Sequence, residues 1–277
     1  MARKQQRFEW NQNGFPIGER TYVMGILNVN PDSFSDGGKY FKPEDAVQQA
    51  KAMVAAGADL IDIGGESTRP GYEPVSREDE LDRVIPVIVR LREELSQEVF
   101  LSIDTQKAEV ASQALQVGAH IVNDIWGLQG DPDMAGVVAQ ARAGVIVMHN
   151  SHTGEYTDII ENIKEFFIKS ILIATKAGIA ESHIILDPGI GFAKTFYDNI
   201  EILSRMKELN ALGFPLLLGT SRKRFLGTIL DRPVDARLEG TLATSVLGIA
   251  AGVDFLRVHD VAEIKRAALV SDVILRR

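Results

Sequence analysis

Short apolar segments recur along the chain, and each is followed by a segment with the hydrophobic spacing of an amphipathic helix. The apolar segments are nearly continuous runs of branched aliphatic residues, a pattern typical of parallel strands that are covered by helices. They span residues 21–29, 60–65, 100–105, 121–127, 145–150, 184–189, 215–221 and 255–260. Eight such units, at an average spacing of about 35 residues, predict an α/β fold and, within that class, a single (β/α)8 TIM barrel.

Glycines mark the ends of many predicted helices, as expected at helix C-caps. Those that lie just before the next apolar run or at its edge are Gly57, Gly118, Gly144, Gly178, Gly213 and Gly252. No Pro- or Ser-rich linker divides the chain, so residues 1–277 are predicted to form one domain, with residues 1–20 as an N-terminal extension. The alternative is a doubly wound open sheet, but the chain lacks a Gly-x-Gly-x-x-Gly turn after the first strand.

Side chains that can do chemistry are concentrated where the apolar runs end. They are Asn28, Asp62, Glu66, Asp104, Asn123, Asp124, His149, Asn150, Asp187, Ser221, Arg257 and His259. In a (β/α)8 barrel the carboxyl ends of all the strands open on one face, and that face holds the active site. The pattern therefore predicts an enzyme.

Composition and charge narrow the class of enzyme. The chain is 45% hydrophobic and 25% charged, as in ordinary globular proteins, and its formal charge of −8 disfavours nucleic acid as a partner. The absence of cysteine excludes disulfides and thiolate metal sites and favours a reducing compartment. The first residues lack the apolar stretch of a signal peptide, and no apolar run is long enough to span a membrane. A cytoplasmic enzyme without a membrane partner is expected.

Positive charges follow the last two predicted strands. Arg257 and His259 are two residues apart, so their side chains share one face of the strand and form a candidate anion site. The alternative for Arg257 is a surface ion pair with Asp260. Lys223 follows the seventh strand and adds a third cation, in the part of the barrel where TIM-barrel enzymes commonly bind phosphate.

Oxygen ligands end other strands. Asp104 and Asp187 follow apolar runs, and Asn123 lies near the end of another. A carboxylate among aliphatic neighbours requires donors, and it can bind the paired N–H groups of an aminopyrimidinone ring or a divalent cation. Spacing alone leaves both possibilities open. Asp62 lies one step earlier in its strand and is interpreted as a structural acid inside the barrel.

Three observations on residue types and one on loops bear on the chemistry. His149 is a candidate general base. The chain has no Gly-x-Ser-x-Gly nucleophile turn and no zinc-binding spacing of histidines. The connections 30–42 and 66–76 are long and rich in Gly or Pro, so they are predicted to be lids over the site; 151–158 is a third, less distinctive connection.

Taken in order, the motifs at the strand ends resemble those of the dihydropteroate synthase family. The matching segments are MGILNVNPDSFSDGG (24–38), DIGGESTRPG (62–71), SIDT (102–105), VNDIWG (122–127), LDPGIGFAKT (186–195), GTSRKRFLG (219–227) and RVHDV (257–261). The resemblance implies a TIM barrel that condenses 6-hydroxymethyl-7,8-dihydropterin pyrophosphate with p-aminobenzoate in folate biosynthesis. The products are 7,8-dihydropteroate and pyrophosphate, and the implied step is SN1-like.

The resemblance also implies roles for individual residues. The implied pterin-binding residues are Asp104, Asn123, Met148, Asp187, Phe192 and Lys223. The implied pyrophosphate-binding residues are Asn28, Arg257 and His259, with Asn28 also a ligand of the cofactor Mg2+. The p-aminobenzoate site and the two substrate loops are matched by Asp32, Ser33, Phe34, Asp36, Thr68, Arg69, Pro70 and Ser221. The residues expected to act on the reacting groups are Asp104, Lys223, Arg257 and His259.

The chain departs from the usual family pattern at Asn30, where threonine is common, at Ala193, where glycine is common, and in the segment HNSHTGEY after the fifth strand. Two alternative functions remain: a pterin-dependent methyltransferase domain and a non-catalytic pterin-binding relative. The first has no use for a diphosphate site, and the second is expected to have lost loop residues such as Asp32 and Phe34.

The segment LEGTLATSVLGIAAG (238–252) is rich in small apolar residues on all sides. This composition suits either a helix buried within one chain or a contact between subunits. The family resemblance implies a homodimer that packs through its later helices.

Overall fold

The computed structural model describes residues 7–29, 43–66 and 75–276. The strands are β1 (Arg7–Trp10), β2 (Asn13–Pro16), β3 (Tyr22–Asn28), β4 (Leu60–Gly64), β5 (Phe100–Asp104), β6 (Ile121–Asp124), β7 (Gly144–Met148), β8 (Ile184–Asp187), β9 (Leu217–Leu218) and β10 (Phe255–Val258). Strands β3 to β10 are parallel and lie in the order β8-β7-β6-β5-β4-β3-β10-β9. A parallel bridge between Leu186 and Leu216 joins the two edges and closes the barrel. The TIM-barrel prediction is therefore confirmed.

Helices follow the barrel strands and cover its outer surface. In the ranges that the structure describes, the α-helices are α1 (Pro43–Ala55), α2 (Arg77–Glu94), α3 (Ala108–Gln116), α4 (Met134–Ala141), α5 (Ile159–Ala177), α6 (Phe196–Arg205), α7 (Arg224–Leu230), α8 (Leu238–Ala251) and α9 (Val261–Leu275). Their starts follow local capping chemistry: the Asp158 carboxylate accepts from two N–H groups of α5, and Thr195 and Asp198 form a capping box on α6. None of the described helices is long and apolar enough to cross a membrane.

The predicted glycine C-caps are correct for most helices but wrong for Gly144. Gly178 and Gly252 end α5 and α8 in the left-handed conformation, with φ of 96° and 99°. Gly144 instead begins β7, and Arg142 is the left-handed C-cap of α4, with φ of 51°. Gly144 is required for space, because a Cβ there would lie 2.5 Å from Cζ of Phe8.

Residues 7–16 form an antiparallel hairpin that the apolar-run pattern did not predict. Phe8 and Trp10 alternate with the more exposed Arg7 and Glu9, which is the pattern of a half-buried strand. The two aromatic side chains pack at the amino-terminal end of the barrel, where Phe8 contacts Phe255 at a ring-centroid distance of 5.9 Å. The hairpin closes that end of the barrel with apolar side chains and leaves the other end open.

Candidate active site

A cavity of about 780 Å³ opens at the carboxyl ends of the barrel strands. Its wall includes every described residue to which the family resemblance gives a role, namely Asn28, Asp104, Asn123, Met148, Asp187, Phe192, Ser221, Lys223, Arg257 and His259. The barrel register brings these residues together, because it pairs Asp104 with Asn123 and Met148 with Asp187 on neighbouring strands. Seven predicted loop residues lie outside the described ranges: Asp32, Ser33, Phe34, Asp36, Thr68, Arg69 and Pro70.

Arg257 links two carboxylates inside the barrel. Its Nε donates to Asp62 Oδ2 at 2.6 Å, and one terminal nitrogen donates to Asp104 Oδ2 at 2.6 Å. Asn123 Nδ2 donates to the same Asp62 oxygen at 3.0 Å. The alternative pairing of Arg257 with Asp260 is wrong, since Arg257 binds Asp62 and Asp104 while Asp260 is bound by Arg222. Asp62 is fully buried and occupies the structural position that its strand register predicts.

The charges of this network shift the pKa values of its members. Burial raises the pKa of Asp104 to about 7; Arg257 opposes that shift, and the negative charge of Asp62 reinforces it. Burial by itself would lower the pKa of Arg257, but Asp62 and Asp104 more than offset it and hold that pKa above its ordinary value. One guanidinium thus balances two buried carboxyl groups.

Asn123 Oδ1, in the cavity wall, is buried and makes no hydrogen bond with any residue that the structure describes. Asp62 Oδ1 is also buried without such a partner, but Asp62 is not among the residues of that wall. Asp187 Oδ1 accepts the Gly189 N–H at 2.7 Å, which fixes the orientation of the carboxylate at the cavity wall. Burial raises the pKa of Asp187, while the Gly189 N–H opposes the shift. Buried acceptors without partners in a cavity wall indicate a ligand that supplies N–H groups.

A planar surface lies beside these acceptors. The Lys223 ammonium is 4.1 Å from the centroid of the Phe192 ring, within the range of a cation–π contact. Both side chains line the cavity. Lys223 thus covers one face of the Phe192 ring, and both side chains border the same cavity as Asn123 and Asp187.

His259 and Ser221 form a polar pair at the next strand ends. The His259 N–H donates to Ser221 Oγ at 3.1 Å, and Ser221 Oγ lies 3.0 Å from His259 Nδ1. The direction of the Oγ–Nδ1 hydrogen bond depends on the tautomer of His259, since a hydroxyl oxygen can accept two hydrogen bonds. Both side chains line the cavity together with Arg257.

His149 does not serve as a general base in this cavity. It is buried, and it is not among the described residues of the cavity wall. Burial, reinforced by the charge of Lys194, lowers the pKa of His149 to about 3. Its ring lies between Asn162 and Lys194, at 3.1 Å and 2.9 Å from their side-chain polar atoms. The general-base interpretation is therefore wrong, and His149 is a buried neutral acceptor.

Two residues near the site were not predicted from the sequence. Lys194 lines the cavity and bonds to backbone carbonyls, which residue type alone does not indicate. Lys107 binds both Glu66 and Glu80, at 2.6 Å and 2.5 Å, and so gives Glu66 a structural partner. The one sequence feature that could have indicated this ion pair is that Glu66 and Lys107 each lie just past the end of a strand.

The fold and the site together define a TIM-barrel enzyme. Its cavity has hydrogen-bond acceptors that suit the edge of a flat heterocycle, and beside them it has cations that suit an anionic group. Residues 24–259 match the family model of pterin binding enzymes. A dihydropteroate synthase from Clostridium beijerinckii is 51% identical over 264 residues, which cover 95% of this chain and 97% of that protein.

Solved structures agree with this assignment. A dihydropteroate synthase from Clostridium difficile, determined in the presence of pteroic acid, has a TM-score of 0.92 and 53% identity over 95% of this chain and all of that one. The enzyme from Xanthomonas albilineans with 4-aminobenzoic acid has a TM-score of 0.92 and 40% identity over 98% of each chain. This chain belongs to the dihydropteroate synthase family of pterin binding enzymes.

Proposed function

We propose that this chain condenses 6-hydroxymethyl-7,8-dihydropterin pyrophosphate with p-aminobenzoate, giving 7,8-dihydropteroate and pyrophosphate. The observation that carries the proposal is the division of one cavity into an acceptor region around Asn123 and Asp187 and a cationic region around Arg257 and His259. Structures of similar enzymes were determined in the presence of pteroic acid, which is the oxidised form of the product, and with 4-aminobenzoic acid, which is the second substrate.

The acceptor region binds the edge of the pterin ring. Asp187 and Asn123 accept from the 2-amino and ring N–H groups, and Phe192 and Met148 form apolar walls. Asp104 lies beside them with its carboxyl bound to Arg257. When the pyrophosphate leaves, positive charge develops on the pterin methylene, and the carboxylates of Asp104 and Asp187 stabilise it through space.

The cationic region receives the leaving group. Arg257, His259 and Lys223 supply positive charge or N–H donors toward the departing diphosphate. The amine of p-aminobenzoate then attacks the methylene cation next to Ser221, forms the C–N bond and loses one proton to the departed pyrophosphate or to water. No protein nucleophile takes part. A methyltransferase domain would not require this cationic region.

We propose Mg2+ as the cofactor, with Asn28 as its protein ligand. The Asn28 amide lies at the cavity wall and makes no side-chain hydrogen bond with any described residue, so its oxygen is available. Within the described ranges no group of three carboxylate or histidine side chains could hold a metal, which fits a Mg2+ whose remaining ligands are substrate phosphates and water. When bound, Mg2+ neutralises charge on the leaving diphosphate.

Asn28→Ala is expected to raise the Mg2+ concentration that gives half-maximal activity by about tenfold, because one hard oxygen ligand is lost. The measurement is the rate of pyrophosphate release in a Mg2+ titration. The matched control is Asn210→Ala, which removes an amide that donates to the Ala251 carbonyl outside the cavity wall. An unchanged Mg2+ requirement in Asn28→Ala would remove that residue from the metal site.

The direct test of the proposed function is pyrophosphate release by the purified protein with both substrates and Mg2+. Release should depend on p-aminobenzoate, and 7,8-dihydropteroate should appear in equal amount. A rate equal to that without enzyme would refute the proposal. Binding of the pterin without release would instead support the non-catalytic alternative.

The pH dependence of catalysis should show the ionisation of Asp104. Its pKa of about 7 arises mainly from burial, and the deprotonated carboxylate is the form that stabilises the pterin cation. The value of kcat/KM for the pterin pyrophosphate should therefore fall as pH is lowered through about 7. Asp104→Asn should have a lower kcat/KM than the wild type above about pH 7 and lack this acidic limb, because an amide is uncharged like the protonated carboxyl group. If the limb persists in the variant, the ionisation belongs to another group.

We further propose a homodimer that packs through α8 and α9. These two helices pack against each other, and their outer surface carries the exposed apolar side chains Leu247, Leu269, Val270, Val273 and Ile274, each between 55% and 69% exposed. Contiguous exposed apolar surface of this kind marks protein interfaces. The segment 238–252 buries one face in the chain and exposes the other, and the proposed interface would use the exposed face.

Leu247→Glu is expected to convert the dimer into a monomer, because the substitution places a charge in an apolar interface. Sedimentation equilibrium should give twice 30.4 kDa for the wild type and 30.4 kDa for the variant. Leu172→Glu on α5 is the matched control, since Leu172 is 63% exposed and Leu247 is 65% exposed. A wild-type mass of one chain, or loss of the dimer in both variants, would contradict the proposed interface.

We also propose that the enzyme works in the cytoplasm. A chain without cysteine has no disulfide to protect from a reducing environment. Cell fractionation with an antibody to the chain tests this localisation, and recovery outside the cytoplasmic fraction would contradict it.

A further inference from the structure

Lys194 connects two loops behind the acceptor region of the cavity. Its ammonium donates to the His149 ring at Nδ1 (2.9 Å), to the Phe192 carbonyl (3.0 Å) and to the His149 carbonyl (3.4 Å). These acceptors come from the residue that follows β7 and from the loop that follows β8. The three N–H groups of one ammonium are therefore all used to hold the two loops together.

The His149 end of this contact is itself fixed. His149 Nε2 lies 3.1 Å from Asn162 Oδ1 of α5, and the ring packs edge-on against Phe166 at a centroid distance of 5.0 Å. The His149 N–H donates to the Asp187 carbonyl at 2.8 Å. Because Asn162 accepts the proton on Nε2, the neutral ring presents Nδ1 as an acceptor to Lys194. Burial lowers the pKa of Lys194 to about 7, with Asp187 and Asp198 opposing the shift and Lys223 reinforcing it.

The loop held by Lys194 starts at the last residue of β8 and carries two of the proposed pterin contacts. The Asp187 carboxylate begins it, and the Phe192 ring, stacked under Lys223, lies near its end. The loop approaches His149 so closely that a Cβ at Gly189 would lie 2.1 Å from the His149 carbonyl oxygen, and φ of Gly189 is 68°. Ala193 has φ of 44°, a region that favours glycine, so this loop stores backbone strain that its contacts must balance.

We propose that Lys194 is a positioning residue for the pterin site, which fixes the loop from Asp187 to Phe192 by binding His149 and the Phe192 carbonyl. The proposal rests on the proposed function of the cavity. Lys194 touches no reacting atom in this arrangement. Its loss should leave the Asp187 carboxylate and the Phe192 ring present but no longer held in the geometry that binds the ring.

The test is Lys194→Met, which keeps the length of the side chain and removes the ammonium. The KM for the pterin pyrophosphate, and the Kd of 6-hydroxymethyl-7,8-dihydropterin measured by calorimetry, should each rise by about tenfold or more, as expected for loss of buried charged hydrogen bonds. The KM for p-aminobenzoate should change by less than about twofold, because the loop carries pterin contacts. Lys169→Met, on the exposed side of α5, is the matched control and should leave all three values unchanged.

The thermal midpoint of each variant separates positioning from loss of fold. If Lys194→Met does not fold, Lys194→Gln, which keeps a donor, takes its place with the same measurements. A folded variant with unchanged pterin affinity would overturn the proposal. Equal losses for both substrates would indicate a general structural role and would also overturn it. A wild-type protein that neither binds the pterin nor releases pyrophosphate would refute the proposed function instead.

Discussion

Arg257→Met is expected to lower kcat/KM for the pterin pyrophosphate by about a hundredfold to a thousandfold, the range observed when one preorganised donor to developing charge is removed. The guanidinium also balances two carboxyl groups, so its loss leaves Asp62 and Asp104 buried and unpaired. Removing one partner of a buried ion pair costs about 3–5 kcal/mol in the free energy of unfolding. Steady-state kinetics and denaturant unfolding measure the two effects separately.

Arg276→Met is the matched control for this prediction. Arg276 is also largely buried and pairs with two carboxylates, Asp272 and Asp254, but at the amino-terminal end of the barrel. Its loss should lower the free energy of unfolding while leaving kcat/KM of the folded protein unchanged. In Arg257→Met, the affinity for the pyrophosphate-bearing pterin should fall more than the affinity for the bare pterin. Equal losses for the two ligands would contradict the role of Arg257 toward the diphosphate.

The barrel strands were predictable because their signal is local. A strand covered by helices needs a continuous apolar run, and each run between residues 21 and 260 overlaps a barrel strand. The runs were longer than the strands, since residues such as Ser221 and His259 lie just past the last barrel hydrogen bonds. The chain leaves the ladder there, and the side chains turn into the cavity.

The amino-terminal hairpin could not be predicted from local sequence patterns. Its strands have only four residues each, and its turn is Asn11-Gln12, with φ of 36° and 72°, rather than the Asn-Gly that marks such turns in a sequence. Its stability comes from Phe8 and Trp10 packing against the barrel, a contact distant in the chain. The same distant contact explains Gly144, which makes room for Phe8 instead of ending a helix.

Which residues gather in the site could be predicted from the sequence, but their partners could not. Strand-end positions brought Asp104, Asp187 and Arg257 to one face because parallel strands share an end. That Arg257 binds Asp62 and Asp104 depends on the tilt and register of strands far apart in sequence. Lys194 gave no signal, because its acceptors are two backbone carbonyls and a buried imidazole.

Asp187→Asn is expected to weaken pterin binding by about 3 kcal/mol, which is more than a hundredfold in Kd. The amide can still accept the Gly189 N–H, so the side chain keeps its place. It presents an N–H2 group, however, where the carboxylate presented an acceptor, and two donors then face each other across the pterin edge. Calorimetry with 6-hydroxymethyl-7,8-dihydropterin measures the loss, and the KM for p-aminobenzoate should change little.

Asp124→Asn is the matched control, because Asp124 is also a buried aspartate at a strand end. Its carboxylate accepts from the backbone N–H groups of Trp126 and Leu128 and so serves the loop that follows β6. The control should lower the free energy of unfolding by about 1–3 kcal/mol, since one of these N–H groups loses its acceptor, and leave pterin affinity unchanged. If Asp187→Asn behaved in the same way, the Asp187 carboxylate would serve its own loop and the pterin edge would be bound elsewhere in the cavity.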